Sequence, residues 1–483
     1  MVTLQLLSAG ESKAAEHGAT FTRANPLSGD VVTTAAAASV GDANAAADAA
    51  GRAFDAWSQT GPGERRAKLL KAAELMEAHQ GDFIDRMIDE TGATPGWAGF
   101  NVKVAADVLR EAAALTTQIH GDIIPSNVPD SMAMGVRVPC GVVVGIAPWN
   151  APIILGTRAI ATPLACGNTV ILKASEQCPA THHLIGEVLQ EAGFGGGIVN
   201  VITNAPDNAA DVVSALIAHP AVRRINFTGS TGVGKIIAEQ AAKQLKPVLL
   251  ELGGKAPFLV LDDADIDAAV DAAIFGAFFN QGQICMSTER VIVDQRIADA
   301  FVDKFAARAK ALKAGDPRDE RNTLGTLINA ASGEKLNGLI DDAVEKGAHI
   351  AAGGKAEGVV MQATVIDGVT SDMRLYSEES FGPVVAVIRV DSEEEAIRIA
   401  NDSEYGLSSA VFSRDSARAM KVAGRLQTGI CHINAPTVHD EPQMPFGGVK
   451  SSGYGRFGGK AGIEEFTELR WMTVQLGARH YPI

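Results

Sequence analysis

The chain has 483 residues, enough for about three average structural domains, and 46% of its residues are hydrophobic against 20% charged. This composition is typical of a folded globular protein and excludes a mainly disordered chain. The 57 acidic and 42 basic residues give a net charge of −15, which argues against a nucleic-acid partner and against a membrane-surface role.

Export and disulfide bonding are not predicted. Residues 1–10 contain no Lys or Arg, and the apolar run at 4–7 is too short for a signal peptide. An odd number of widely spaced cysteines fits a reducing compartment, so we predict a cytoplasmic protein. Metal-binding motifs of the His-Glu-x-x-His or Cys-x-x-Cys type do not occur, so we expect no metal site.

The first half of the chain predicts helices and then a parallel sheet. Apolar residues at three-to-four spacing predict helices over residues 42–120. From residue 141, short β-branched runs alternate with helical segments, which is typical of a doubly wound α/β sheet. The predicted strands cover 141–147, 169–173, 198–202, 223–227 and 248–252, and the helices between them cover 153–165, 181–192, 209–218 and 232–244.

The same alternation starts again after a boundary that we place near Glu251. It predicts strands at 258–261, 290–294 and 384–390 and helices at 266–279, 298–311 and 393–401. Residues 121–138 and 466–483 fit neither unit, and both alternate like strands. They predict a pair of arms that add to the sheet of a neighbouring subunit.

Polar residues follow four of the predicted strands. They are Trp149 and Asn150 after the first, Lys173 and Glu176 around the end of the second, Gly229 and Ser230 after the fourth, and Glu251 in the fifth. Ligands of doubly wound sheets bind at the carboxyl ends of the strands. A ligand site is therefore predicted at this edge.

The glycine-rich turn at 228–234 opens a helix, which suits a phosphate group. Gly229-x4-Gly234-Lys235 resembles a P-loop, but Ile236 replaces the hydroxyl residue that Mg²⁺ requires. A plain strand-to-helix turn remains an alternative. Similarly, Glu176 could accept both ribose hydroxyls and repel a 2′-phosphate, or could form an ordinary solvated pair with Lys173.

Cys285 follows a glycine turn in a segment, 279–286, that has no acidic residue. Most single cysteines are small core residues, so by itself this position allows either a nucleophile or a structural thiol.

Seven collinear motifs together resemble the NAD(P)-dependent aldehyde dehydrogenase superfamily. They are Pro148-Trp149-Asn150, Lys173-Ala174-Ser175-Glu176, Phe227-Thr228-Gly229-Ser230, Glu251-Leu252-Gly253-Gly254-Lys255, Gly282-Gln283-Ile284-Cys285, Glu378-Glu379-Ser380-Phe381-Gly382-Pro383 and Pro445-Phe446-Gly447-Gly448. The resemblance runs from about residue 20 to the C-terminus. Residues 97–101 and 437–457 are most similar to bacterial salicylaldehyde, vanillin and benzaldehyde dehydrogenases of aromatic catabolism.

The resemblance implies an α/β fold of two doubly wound domains and a small β oligomerisation arm. Residues 1–119 and 140–250 would form the NAD-binding domain, 251–452 the catalytic domain, and 120–139 with 465–483 the arm. It also implies a homodimer or homotetramer, NAD as cofactor with weaker use of NADP, and a small aromatic aldehyde as substrate.

By the same resemblance, Cys285 is the nucleophile, Asn150 an oxyanion donor and Glu251 the general base. The implied cofactor-binding residues are Trp149, Lys173, Glu176, Gly229, Ser230, Glu379 and Phe381. The implied substrate-binding residues are Trp97, Phe100, Arg158, Ile284, Met286, His439 and Phe446.

Two departures and two alternatives accompany this hypothesis. Ala174 replaces a frequent proline, and Phe457 replaces a glutamate proposed to relay protons in relatives, so a relay through that position is not expected. Within the superfamily, the alternative substrate is an aliphatic aldehyde or a semialdehyde. Outside it, the alternative is a P-loop-like nucleotide-binding or structural protein, against which the intact Cys285, Asn150 and Glu251 argue.

Overall fold

The computed structural model describes residues 1–483. Its strands are β1 (Val2–Leu4), β2 (Leu6–Ser8), β3 (Glu11–Lys13), β4 (Thr20–Ala24), β5 (Val31–Ala36), β6 (Asp122–Ile124), β7 (Ser131–Pro139), β8 (Val142–Ile146), β9 (Thr169–Lys173), β10 (Val199–Ile202), β11 (Val222–Thr228), β12 (Val248–Glu251), β13 (Ala256–Val260), β14 (Thr288–Asp294), β15 (His349–Ala352), β16 (Thr364–Asp367), β17 (Val384–Val390), β18 (Ser408–Phe412), β19 (Ile430–Ile433), β20 (Gly453–Tyr454) and β21 (Thr467–Gln475).

The α-helices are α1 (Val40–Ser58), α2 (Pro62–Ala78), α3 (Gln80–Thr91), α4 (Pro95–Leu115), α5 (Pro152–Ala165), α6 (Pro179–Glu191), α7 (Ala209–Ala218), α8 (Thr231–Lys243), α9 (Ile266–Phe278), α10 (Gln295–Ala311), α11 (Ala330–Glu345), α12 (Arg374–Ser377), α13 (Glu393–Asn401), α14 (Ser416–Ala423) and α15 (Gly459–Glu465). None of them combines the length and the apolar character needed to cross a membrane.

The first large sheet has eight strands in the order β20-β12-β11-β8-β9-β10-β2-β3. Its five central strands are parallel to one another, and they are β12, β11, β8, β9 and β10. Strands β8 and β9 are buried along their whole length, as continuous β-branched runs of parallel sheets usually are. The carboxyl ends of β8, β9, β11 and β12 therefore lie along one edge.

The second large sheet has seven strands in the order β15-β16-β17-β14-β13-β18-β19, and only β15 runs antiparallel to its neighbour. It begins just beyond β12, which ends at Glu251, the residue where the sequence places the domain boundary. Helices α9 and α10 pack on one face through an aromatic cluster that includes Phe278, Phe301 and Phe305.

The two predicted arms form one antiparallel sheet, β21-β7-β6. Strand β21 pairs with β7 over nine residues, from Thr467 opposite Pro139 to Gln475 opposite Ser131. Large apolar side chains on this sheet are exposed, including Ile123 at 76%, Leu469 at 66% and Trp471 at 80%. An unpartnered apolar surface of this kind is typical of a protein–protein contact.

The structure adds strands that the sequence patterns did not predict, namely β15, β16, β18 and β19 of the second large sheet and further strands at both edges of the first. Residues 1–36 contain five short strands, of which β2 extends the edge of the first large sheet beside β10. At the opposite edge, β20 pairs with β12, although it follows the second sheet in the chain. Phe446, Phe457 and Phe466 accordingly pack in the core that holds α4 and α5.

Candidate active site

A cleft of about 300 Å³ opens where the carboxyl ends of β8, β11 and β12 face the second sheet. Its lining comes from both halves of the chain and consists of Pro148, Trp149, Asn150, Thr228, Gly229, Ser230, Glu251, Leu252, Gly253, Cys285, Ser332, Lys335, Glu379, Ser380 and Phe381. The three predicted catalytic residues and five of the seven predicted cofactor residues are among them.

Cys285 is partly exposed in the turn between α9 and β14, whereas the flanking Ile284 and Met286 are buried. The backbone of Gly254 passes close behind it. A Cβ atom at Gly254 would lie 2.4 Å from the carbonyl oxygen of Cys285, so only glycine permits this approach. The Glu251–Lys255 segment therefore packs directly against the backbone of Cys285.

Two hydrogen-bond donors beside Cys285 have no acceptor within the protein. The side-chain amide of Asn150, which lines the cleft, makes no hydrogen bond, and the backbone N–H of Cys285 is donated to no other group. Stabilisation of a developing oxyanion requires hydrogen-bond donors of this kind, which are in place but not yet used.

Glu251 ends β12 and is 1% exposed, and neither carboxylate oxygen has a hydrogen-bond partner. Burial raises the pKa of Glu251 to about 8, and this effect exceeds the lowering by the neighbouring Cys285 thiol and by the charge of Arg158. Removal from water and the neighbouring charge of Glu251 raise the pKa of the Cys285 thiol well above its usual range. The two groups are therefore close enough to interact electrostatically.

The turn between β11 and α8 brings backbone N–H groups to the cleft. A Cβ atom at Gly229 would lie 2.4 Å from the ring of Phe227, so the turn is fitted to glycine. Ser230 stands at the N-cap of α8, a helix of 13 residues, and its hydroxyl makes no capping bond. The free N–H groups and helix dipole fit the phosphates of a dinucleotide.

Lys173 and Glu176 lie further along the same sheet edge, outside the lining of the cleft. They form an ion pair, and the carboxylate of Glu176 also accepts a hydrogen bond of 2.9 Å from Asn204 Nδ2. Lys173 is 5% exposed. The pair is thus partly enclosed rather than solvated, which fits a group that binds the far end of a dinucleotide.

The opposite wall of the cleft is the segment 379–381. Gly254 N–H donates to Glu379 Oε1 at 2.8 Å, and burial, with the charge of Glu289, raises the pKa of Glu379 to about 7. Phe381 adopts a left-handed backbone conformation with φ of 55° and meets the Trp149 ring edge-on at 5.7 Å between centroids.

None of the seven predicted substrate residues lines the 300 Å³ cleft. Trp97, Arg158, Ile284, Met286 and Phe446 are at most 5% exposed and pack behind Cys285. Each of the other two lies nearer the surface. Phe100 lines a second cleft, of about 520 Å³, between α4 and residues 440–443, and exposed His439 contacts Glu441.

Arg158 already has a partner. Its Nη2 contacts both carboxylate oxygens of Asp440, at 2.7 and 2.6 Å, and its guanidinium lies over the Phe446 ring at 4.7 Å from the centroid. The side chains of Arg158 and Asp440 are 6% and 10% exposed. Asp440 also lines the 520 Å³ cleft, so this nearly buried ion pair borders that cleft.

Some residues of the site have no recognisable sequence signal. Lys335 of α11 lines the cleft and donates to the backbone carbonyl of Glu379 at 2.7 Å, but its segment carries no motif. Lys255 is fully buried with Glu289, which accepts from the backbone N–H groups of Ser380 and Phe381. Lys255 ends the Glu251–Lys255 motif, but Glu289 belongs to no motif, so the sequence did not predict this pair.

The aldehyde dehydrogenase family model matches residues 13–472 of the chain. A vanillin dehydrogenase of Pseudomonas fluorescens is 62% identical over 483 residues, which is 100% of both chains. The crystal structure of a salicylaldehyde dehydrogenase from Pseudomonas putida G7, complexed with salicylaldehyde, superposes with a TM-score of 0.98 at 51% identity over 100% of both chains. PnpE in complex with nicotinamide adenine dinucleotide gives a TM-score of 0.95 at 38% identity over 99% of each chain.

Proposed function

Since the chain belongs to the aldehyde dehydrogenase family and is an NAD(P)-dependent aldehyde dehydrogenase, we propose that it oxidises an aromatic aldehyde to the carboxylic acid with NAD. One observation carries the proposal. Cys285, Asn150 and Glu251 line the same cleft as the glycine turn that suits a dinucleotide. The relatives named for vanillin and salicylaldehyde support the aromatic substrate.

Cys285 is the proposed nucleophile. Its partly exposed thiol first loses its proton to solvent, and the resulting thiolate attacks the aldehyde carbon, so that the carbonyl oxygen becomes an oxyanion that accepts from the Asn150 amide and the Cys285 backbone N–H. Neither donor has another acceptor in the protein, so no existing hydrogen bond must break before the oxyanion is bound. One such donor typically lowers the activation barrier by about 3–4 kcal/mol.

Glu251 is the proposed general base. Bound NAD supplies the acceptor for the hydride that leaves the substrate carbon, after which the acyl group remains on Cys285 as a thioester. Glu251 in its ionised form takes a proton from the water that attacks this thioester, and the C–S bond breaks as the acid forms. The raised pKa of about 8 makes Glu251 a stronger base than an exposed carboxylate.

The cofactor is proposed to lie along the edge of the first sheet. Lys173 and Glu176 would hold the adenosine ribose, and Gly229 with Ser230 the pyrophosphate. Trp149, Glu379 and Phe381 would border the nicotinamide end. The carboxylate of Glu176 disfavours a 2′-phosphate by charge repulsion, which supports NAD over NADP.

The aldehyde is proposed to approach from the 520 Å³ cleft, whose lining includes Phe100 and Asp440. The ring would then lie against a mainly apolar wall formed by Trp97, Phe100, Ile284, Met286 and Phe446, with Arg158 and His439 as its polar members. A few convergent polar groups in an apolar site are typical of small-molecule recognition.

The ion pair of Arg158 favours an aromatic substrate over a dicarboxylic semialdehyde. Arg158 is the only buried cation among the proposed wall residues, and Asp440 already neutralises it. The carboxylate of a semialdehyde would meet the negative charge of Asp440. A neutral aromatic ring would lie against the apolar surface, and no charged group of the substrate would have to lose its water.

A substrate panel tests the proposal. Vanillin, salicylaldehyde, benzaldehyde and succinic semialdehyde are compared by cofactor reduction, each with NAD and with NADP. We expect the highest kcat/KM for an aromatic aldehyde with NAD. A clear preference for succinic semialdehyde would refute the aromatic assignment, and the absence of any aldehyde oxidation would favour a nucleotide-binding or structural role.

The β21-β7-β6 sheet is the proposed oligomerisation arm of a homodimer or homotetramer. Its exposed Ile124, Leu469 and Trp471 lie on one face of the sheet, and both outer strands offer unpaired backbone groups. Light scattering on the full chain measures the oligomer. Removal of residues 465–483 is expected to yield smaller species, whereas an unchanged mass would refute the arm.

A further inference from the structure

The backbone carbonyl oxygen of Asn150 accepts two side-chain hydrogen bonds from distant parts of the chain. The indole N–H of Trp97, on α4, donates to it with a separation of 2.9 Å. The Nδ2 amide of Asn280, in the turn that leads to Cys285, donates to it at 3.0 Å. One oxygen thus joins α4, the turn after β8 and the turn of the nucleophile.

This junction is shielded from water. Trp97 is 3% exposed, Asn280 4% and Asn150 5%. The Trp97 ring stacks on Phe100 and meets Phe279 edge-on, at centroid distances of 5.5 and 4.8 Å. Water cannot replace a lost donor in such a place, so each hydrogen bond has a larger effect on position than it would have at the surface.

The turn that carries Asn280 is itself rigidly held. Asn280 and Gln281 both adopt left-handed conformations, with φ of 49° and 54°, which residues other than glycine keep only when the surroundings enforce them. The amides of Gln281 and Gln283 donate to the carbonyl of Thr326 at 3.1 and 3.3 Å, and Gln283 Oε1 accepts from Ile328 N–H at 3.0 Å.

We propose that Trp97 and Asn280 are positioning residues that fix Asn150 relative to Cys285, so that the oxyanion donors are in place before the aldehyde arrives. The inference rests on the proposed roles of Asn150 and Cys285. Trp97 thereby gains a function beyond its place in the substrate wall. The side chain performs this function through its indole N–H and not through ring stacking. Such preorganisation matters because a small displacement of a catalytic donor slows the reaction strongly.

The test uses Trp97→Phe, which removes the N–H and keeps an aromatic ring. We expect the rate constant of the NADH burst to fall about tenfold, a part of the 10²- to 10³-fold loss typical of removing an oxyanion donor outright. The KM for the aldehyde should change less than about twofold, since the apolar wall remains. An unchanged burst rate would overturn the proposal.

Trp57→Phe is a matched control. Trp57 is also buried, at 2% exposed, and packs edge-on against Phe194, but its indole N–H has no partner. The same substitution there removes no hydrogen bond to Asn150, so the burst rate should stay at the wild-type value. An equal slowing in both variants would show a general packing effect and overturn the proposal.

A double-mutant cycle with Asn150→Ala separates positioning from independent effects. In the Asn150→Ala background, Trp97→Phe should slow the burst by less than about twofold, because no amide remains to be positioned. A tenfold loss in both backgrounds would overturn the inference and leave the proposed mechanism intact. If Asn150→Ala alone left the burst unchanged, the proposed oxyanion role would fail and the inference with it.

Asn280→Asp provides a second variant in case Trp97→Phe folds poorly. Aspartate tolerates the left-handed conformation and has the same shape, but it presents an acceptor to the Asn150 carbonyl instead of a donor. We expect the burst to slow at least as much as in Trp97→Phe, with NAD binding by calorimetry unchanged. A wild-type burst rate in this variant would overturn the proposal.

Discussion

The raised pKa of Glu251 predicts a steep pH dependence of thioester hydrolysis. Glu251 acts as a base only when ionised, and burial places its pKa at about 8. The ionised fraction is then about 3% at pH 6.5 and about 90% at pH 9, so the hydrolysis rate constant should rise about 30-fold over this range. The rise requires that the pKa of Glu251 is raised, because a carboxylate with an ordinary pKa is fully ionised over the whole range from pH 6.5 to 9.

The assay must separate hydrolysis from the steps before it. Rapid mixing of enzyme, NAD and benzaldehyde gives the NADH burst, and the slower phase that follows reports release of the acyl group. In Glu251→Gln the burst should persist as a single turnover while the slow phase disappears, because acylation survives and hydrolysis does not. The pH dependence of the slow phase should disappear with it.

Glu465→Gln is the control for a general effect of carboxyl titration. Glu465 is partly buried and its pKa is also raised by burial, but it lines neither cleft. This variant should keep the wild-type profile. A slow phase whose rate is constant between pH 6.5 and 9 in the wild type, or full turnover in Glu251→Gln, would refute the reasoning about Glu251.

Four further substitutions test separate residues. Cys285→Ala should abolish the NADH burst itself, and any remaining burst would contradict its role as nucleophile. Asn150→Ala should lower kcat/KM about 10²- to 10³-fold, as measured in steady state, since one oxyanion donor is lost. Glu176→Gln should raise kcat/KM with NADP relative to NAD, because the charge that repels a 2′-phosphate is gone. Asp440→Asn should raise the kcat/KM ratio of succinic semialdehyde to benzaldehyde at least about tenfold by unmasking Arg158, and an unchanged ratio would refute its influence on substrate choice.

Local patterns in the sequence were sufficient for most of the sheet framework. The strands predicted at 169–173 and 384–390 have the same bounds as β9 and β17, because runs of β-branched residues between helical segments have few other ways to be buried. Strands β1–β5, β15, β16, β18, β19 and β20 escaped prediction. They have between two and six residues, and pairing with distant strands, not their own pattern, makes them strands.

The sequence alone determined the order of α/β units, the family and the polar residues at the strand ends, including Lys173 and Glu251, because these depend on neighbours along the chain. Only the tertiary structure decided how those residues are used. It buried Glu251 without a partner, neutralised Arg158 with Asp440, and joined Trp97 to Asn150 across 53 positions of the chain. Burial and long-range hydrogen bonds depend on the packing of whole elements, and no local pattern specifies them.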